Sequence, residues 1–176
     1  RTITLKVNKD VLIPRPETEI LVEEAVREAS SIKAAEVVIV DLCTGSGCVA
    51  ISAASEIQRA KVVATDISEA ALKIAMENAQ RNGVAERVRF LAGDLFCPLE
   101  AFKGKAHLIL SNPPYVSEKD RDKLEPEVLD HEPAGALFAD EDGMYFQKRI
   151  IREAPEYLQP GGWLMLEAGY DQSRRM

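Results

Sequence analysis

The sequence predicts an α/β fold built on a doubly wound, mostly parallel sheet, and three observations predict it. Strand-like and helix-like stretches alternate along nearly the whole chain, the pattern of βαβ units with right-handed crossovers. The strand-like runs, such as Val37-Val38-Ile39-Val40, Val62-Val63-Ala64 and Leu108-Ile109-Leu110, are almost continuously apolar, as in strands buried on both faces. Three of these strands are followed at once by a carboxylate or an asparagine: Asp41, Asp66, and Asn112 after Ser111. Ligands of doubly wound sheets bind in the crevice outside the carboxyl ends of the strands.

The elements follow in order. Ile3, Leu5 and Val7 alternate with Thr4 and Lys6, and Asn8-Lys9-Asp10 has turn chemistry before Val11-Leu12-Ile13. Residues 2–13 therefore read as a small N-terminal hairpin, with 1–15 as hairpin and linker and 16–176 as the main domain. In Ile13-Pro14-Arg15-Pro16-Glu17-Thr18-Glu19, Pro16 suits a first helical position and the two glutamates suit the positive end of a helix dipole. Ile20, Leu21, Ala25, Val26 and Ala29 mark that helix's apolar face. After the central strand, two glycines turn the chain into a short helix over 49–57. The second strand ends at Asp66. Ser68 is placed as the N-cap of a helix carrying the stripe Leu72, Ala75, Met76 and Ala79, which Asn82-Gly83 closes. A third strand, 88–92, runs into Gly93-Asp94-Leu95-Phe96, and a fourth delivers Ser111-Asn112-Pro113-Pro114-Tyr115. Residues 117–133 are charged and irregular, and 118–132 read as a solvated, mobile flap. A helix over 142–158 should kink or split at Pro155, and Gln159-Pro160-Gly161-Gly162 turns into a fifth strand over 163–167, which Trp163 begins.

Composition narrows the function. The chain has 176 residues, 46% apolar and 29% charged, with a net charge of −7, the profile of one globular domain. That charge opposes sequence-independent binding to nucleic acid, which needs clustered Lys and Arg. No apolar run reaches the length of a membrane span. Cys43, Cys48 and Cys97 form neither a disulfide framework nor a zinc set; they read as small, buried, reduced thiols of a cytoplasmic protein. His107 and His131 have no companion that would make a metal site or a base.

The chemistry-bearing residues cluster at the strand ends. Gly45, Gly47 and Ala50 fit G-x-G-x-x-G/A, so a nicotinamide enzyme stays open. Asp66 would accept hydrogen bonds from both ribose hydroxyls of either a dinucleotide or an adenosyl group. Asp94 is placed to accept from an adenine amino group, with Leu95 or Phe96 over the base. This, with an Asn-Pro-Pro-Tyr turn that has no role in hydride transfer, favours S-adenosyl-L-methionine, which leaves as S-adenosyl-L-homocysteine. Two prolines stiffen the turn and remove two donors, leaving acceptors. The Asn112 side-chain carbonyl and the Pro113 main-chain carbonyl can accept both hydrogen bonds of an NH2 group on a planar π system. They would also favour the pyramidal nitrogen that appears as a methyl transfers. Tyr115 supplies a flat ring for the amide or base plane.

On the residues Ile13 to Glu19, Asp41-Leu42-Cys43-Thr44-Gly45-Ser46-Gly47, Asp66, Asn112-Pro113-Pro114-Tyr115 and His131-Glu132-Pro133 with Ala136-Leu137, the chain resembles the HemK/PrmC family of N5-glutamine methyltransferases. These modify the glutamine of the Gly-Gly-Gln motif in class-I peptide release factors. The resemblance covers nearly the whole chain. It implies a Rossmann-like class I methyltransferase with strand order 3-2-1-4-5. It also implies cofactor contacts from Cys43, Thr44, Gly45, Ser46, Gly47, Asp66, Leu95 and Asn112, and a glutamine held by Asn112, Pro113, Pro114 and Tyr115. Asn-Pro-Pro-Tyr is shared with amino methyltransferases acting on adenine in DNA and guanine in RNA, which is the second reading; a non-catalytic nucleotide-binding module is the third. Three departures stand out. Cys43 replaces the family's usual glycine, the family's N-terminal helical domain does not precede Arg1, and its last two strands do not follow strand five. An uncovered fifth strand is a pairing hazard, so a truly truncated piece is expected to bind cofactor weakly or to pair with another chain.

Overall fold

The structure, a computed structural model, describes residues 3–172 and 174–175. Five parallel strands, β1 (Val37–Leu42), β2 (Ala60–Asp66), β3 (Val88–Ala92), β4 (Ala106–Ser111) and β7 (Leu158–Leu166), form one sheet in the order β3-β2-β1-β4-β7. This is the expected doubly wound order, with β7 as the fifth strand. Side chains alternate between faces along each strand, and both faces are covered. Ile39, Val62, Ala64, Leu108 and Leu110 meet helices α1 (Thr18–Ser31) and α2 (Cys48–Glu56). Val40, Leu42, Val63 and Ile109 meet Phe96, Leu99 and helix α7 (Tyr145–Tyr157). Helix α3 (Glu69–Arg81) returns from β2 to β3; the Ser68 hydroxyl caps it by accepting from Ala71 N at 3.2 Å. Asn82 and Gly83 close it as expected.

The predicted hairpin does not form. Its first residue, Thr2, lies outside the described residues, and 3–13 pair with no strand. Asn78 of α3 and Asn82 at its C-cap take the place of a partner strand. Asn78 accepts from Lys6 N at 2.7 Å and donates to Lys6 O at 3.0 Å, and Asn82 does the same for Thr4 at 3.1 and 2.9 Å. The alternation of Ile3 to Val7 thus marks an extended segment, and side-chain amides satisfy its backbone. Val11 then turns inward, 1% exposed, against Ala71 and Ile74.

Three further differences lie downstream. Helix α7 starts at Tyr145 and runs unbroken through Pro155, whose missing N–H falls in the last turn and removes a single bond. Strand β7 begins at Leu158, so Gly161 and Gly162 lie inside it, across a slip in its register with β4. The charged stretch is better anchored than expected. Two short parallel strands, β5 (Val116–Ser117) and β6 (Phe138–Ala139), pair across it, bracketing helices α4 (Pro126–His131) and α5 (Ala134–Leu137). A tight turn, α6 (Asp140–Gly143), follows. No helix among the described residues is long and apolar enough to cross a membrane.

Candidate active site

The loop after β1 is built on Asp41. Its side chain is 1% exposed, and Oδ2 accepts from Thr44 Oγ1 at 2.6 Å and from Ala50 N at 3.1 Å, clamping the loop to the start of α2. Burial pushes the Asp41 carboxyl up to about 7. Between the ordinary aspartate value and that raised value the folded chain holds a proton that the unfolded chain has released. Stability therefore falls as pH rises through this window. Asp41→Asn keeps an acceptor oxygen for Thr44 and Ala50 without a charge. It is expected to remove about 2 to 3 kcal/mol of the decline between about pH 5 and about pH 8, read as urea midpoints of both proteins at the two pH values.

Asp66 at the end of β2 ties the loop to the next helix. Its Oδ2 accepts from Gly45 N at 2.8 Å and its Oδ1 from Ser68 N at 2.9 Å, and burial raises its pKa. Beside it opens a cavity of about 360 Å³. Of the residues singled out from the sequence, Cys43, Thr44, Gly45, Ser46, Asp66, Asp94, Leu95, Asn112 and Pro114 line it. Nothing stands within 4 Å of the place a Cβ on Gly45 would occupy, so this turn leaves a cradle that a side chain would fill. Cys43 holds φ 57°, a left-handed conformation that favours glycine, which accounts for the family's usual residue there. Burial and the neighbouring Asp66 and Asp41 push its thiol up, making it a poor nucleophile. Cys97, expected to be buried, is exposed.

The structure adds four particulars about these residues. Gly47 is the left-handed N-cap of α2 and is not part of the wall. Of Leu95 and Phe96 it is Leu95 that lines the cavity; Phe96 is 1% exposed and stacks on Tyr157 in the core, with centroids 4.5 Å apart. Asp94 lines the cavity with Arg149 beside it, Nη1 lying 3.1 Å from Oδ1 and 2.9 Å from Oδ2. Neither Pro113 nor Tyr115 lines the cavity. Sequence reasoning missed Arg149, and it missed Ile67, which lines the cavity with 77% of its surface exposed. An apolar residue directly after a strand-ending carboxylate was the available signal.

At the end of β4 the Asn-Pro-Pro-Tyr turn is held by residues distant in sequence. Asn112 Nδ2 donates to Thr18 Oγ1 at 3.1 Å, Thr18 Oγ1 donates to Glu167 Oε2 at 2.7 Å, and Tyr115 OH donates to Glu167 Oε1 at 3.2 Å. Burial, then Glu167, push the Tyr115 phenol up to about 12. Gln172 Nε2 donates to Tyr115 O at 2.9 Å. Gly143, at φ +82°, lies under this carbonyl, where a Cβ would come within 2.2 Å of Tyr115 O and 2.7 Å of Gln172 Nε2. Gly143→Ala must therefore move backbone. It is expected to destabilise the chain by about 2 to 3 kcal/mol, seen as a lower Tm and as altered Tyr115 near-ultraviolet dichroism.

The opposite wall comes from Pro14, Pro133, Gly135 and Ala136. Arg15 Nη2 lies 2.6 Å from Glu132 Oε1, and the Glu132 side chain is 2% exposed. Glu132 thus anchors the charged segment rather than belonging to a solvated flap. The histidines are structural or peripheral. His107 Nδ1 accepts from Val38 N at 3.0 Å, and burial lowers its pKa; His131 is exposed at the end of α4.

The model of the methyltransferase small domain matches residues 17–134. The chain belongs to this methyltransferase family. The small domain so matched includes the β1 loop, Asp66, Asp94 and the Asn-Pro-Pro-Tyr turn. A release factor glutamine methyltransferase of Geobacter sulfurreducens is 44% identical over 95% of this chain and 56% of its own length. One of Gloeobacter violaceus is 46% identical over 95% of this chain and 57% of its own. The chain thus spans somewhat more than half the length of these curated relatives, and the resemblance read from its motifs extends along nearly all of it. Among solved structures, the N-terminal domain of human METTL16 in complex with SAH shares the fold, with TM-score 0.66 and 18% identity over 97% of this chain and 62% of that one.

Proposed function

We propose that this methyltransferase domain, residues 16–176, transfers a methyl group from S-adenosyl-L-methionine to the side-chain amide nitrogen of the Gly-Gly-Gln glutamine in class-I release factors, in the cytoplasm. The observation that carries the reading is that Asn112 lines the same cavity as Gly45 and Asp66 while its Nδ2 is taken by Thr18. A carboxamide whose nitrogen is engaged by a neighbouring side chain has its oxygen left for a ligand, and no hydrogen bond reaches Oδ1 from the described residues. The open cradle at Gly45 suits the amino-acid end of the cofactor, Asp66 the ribose hydroxyls, and Leu95 with Ile67 the base. Asp94 would meet the adenine amino group through an oxygen shared with Arg149.

When bound, the cofactor supplies an electrophilic methyl group on a sulfonium centre. Everything else is positioning by the chain. An amide nitrogen is a weak nucleophile because its lone pair is delocalised. Asn112 Oδ1 accepts a hydrogen bond from the substrate's NH2 group, holds the nitrogen in line, and stabilises it more as it becomes pyramidal; the methylated nitrogen then sheds its surplus proton to solvent. Tyr115, outside the cavity wall and fixed at its hydroxyl and carbonyl, offers the incoming strand of the release factor a surface beside Asn112. The test is transfer of labelled methyl from S-adenosyl-L-methionine to a release factor and to its variant with the Gly-Gly-Gln glutamine replaced by alanine. Label on the first protein alone is expected. Label on both alike, or only on RNA or DNA, defeats the reading.

A further inference from the structure

The Asn-Pro-Pro-Tyr turn is polarised by two residues outside it. A threonine hydroxyl has one proton to donate and lone pairs to accept. Thr18 commits its proton to the Glu167 carboxylate at 2.7 Å, and a carboxylate only accepts. Toward Asn112, 3.1 Å away, Thr18 can therefore offer nothing but a lone pair. Asn112 must then turn its NH2 to Thr18 and its carbonyl to the cavity, because the flipped carboxamide would set two acceptors against each other. The other oxygen of Glu167 takes the Tyr115 hydroxyl at 3.2 Å. Thr18 is 4% exposed and lines the cavity beside Asn112. The three elements come from far apart: α1, the end of β4, and the residue after β7.

We propose that Thr18 and Glu167 are positioning residues that fix the flip of the Asn112 carboxamide and thereby make it an acceptor toward the substrate's NH2. This inference rests on the proposed amide methylation, and Glu167 acts from outside the cavity wall, its two carboxylate oxygens on Thr18 and Tyr115 and its N–H on Ser111 O at 3.0 Å. Its structural half can be read without any substrate. In the full chain, the Asn112 side-chain amide should give a pair of ¹⁵N-correlated proton signals, one protected from exchange by Thr18. Thr18→Val, which keeps the shape and removes the hydroxyl, should abolish that protection, and Thr18→Ser should restore it. In labelled methyl transfer to a release factor, Thr18→Val and Glu167→Met should each lower kcat by about tenfold or more. The Kd for S-adenosyl-L-homocysteine should stay within about twofold, and Thr18→Ser should recover most of the turnover. Unchanged Asn112 protection in Thr18→Val overturns the proposal. So does a kcat for Glu167→Met equal to that of the unaltered chain, or a Thr18→Ser variant as slow as Thr18→Val. If the unaltered chain methylates no release factor, the functional reading fails, and the amide signals still decide whether Thr18 sets the flip.

Discussion

Asn112→Ala is expected to lower kcat for methyl transfer by about 10² to 10³ while leaving the Kd for S-adenosyl-L-homocysteine within about threefold. The side chain lines the cavity, yet the loop from Cys43 to Ser46, Asp66, Ile67 and Leu95 line it as well, so cofactor affinity survives the truncation. What is lost is an acceptor aimed at the nitrogen as it becomes pyramidal, an interaction stronger in the transition state than in the ground state. Asn112→Asp separates shape from polarity. It restores the acceptor but places a carboxylate oxygen 3.1 Å from a Thr18 hydroxyl whose proton belongs to Glu167. That contact is repulsive, so this variant should be as slow as the alanine one. A kcat for Asn112→Ala near that of the unaltered chain would remove Asn112 from its assigned role.

Arg15→Ala should release the segment that roofs the cavity. It strands Glu132, whose side chain is 2% exposed and whose Oε2 already has no partner among the described residues. A buried carboxylate deprived of its cation costs about 3 to 5 kcal/mol; Arg15 is itself 35% exposed, which places the loss near the lower figure. The loss should be local, because 116–139 is made of short elements and closes on itself through the pairing of β5 with β6. Hydrogen exchange should rise across 118–137 and not in β1 or β4, and cofactor affinity should fall with it, since Pro133, Gly135 and Ala136 line the cavity. The double variant Arg15→Met, Glu132→Leu removes both charges and should regain most of the protection. Equal exchange in Arg15→Ala and the unaltered chain would show that the ion pair does not hold the roof.

The parts of this molecule legible in the sequence are those governed by short-range periodicity. Ile39 and Val40 face opposite sides of the sheet and are both buried, so their strand is apolar without alternation. Glycines, prolines and strand-ending carboxylates mark the crevice because backbone geometry and ligand chemistry demand them at fixed offsets. What stayed hidden depends on which distant side chains meet. The alternation of Ile3, Leu5 and Val7 fits a strand equally with a β partner or with two asparagines from a helix and its C-cap 72 to 78 residues away. Nothing near Glu132 signals that Arg15, 117 residues earlier, would bury it. Thr18 and Glu167, 149 residues apart, are unremarkable until the sheet brings α1 and the end of β7 to the same turn. Tyr115 was expected in the cavity as a flat ring for the amide or base plane; instead, Glu167 and Gln172 hold it, and it does not line the cavity.

The most direct test of the account is the position of the methyl group on a release factor after incubation with the full chain and S-adenosyl-L-methionine, read by tandem mass spectrometry of the Gly-Gly-Gln peptide. The account predicts a single added methyl on the side-chain amide nitrogen of that glutamine, and none when Asn112 is alanine. A methyl found on the backbone, on another residue, or still present on the glutamine with Asn112→Ala would contradict it.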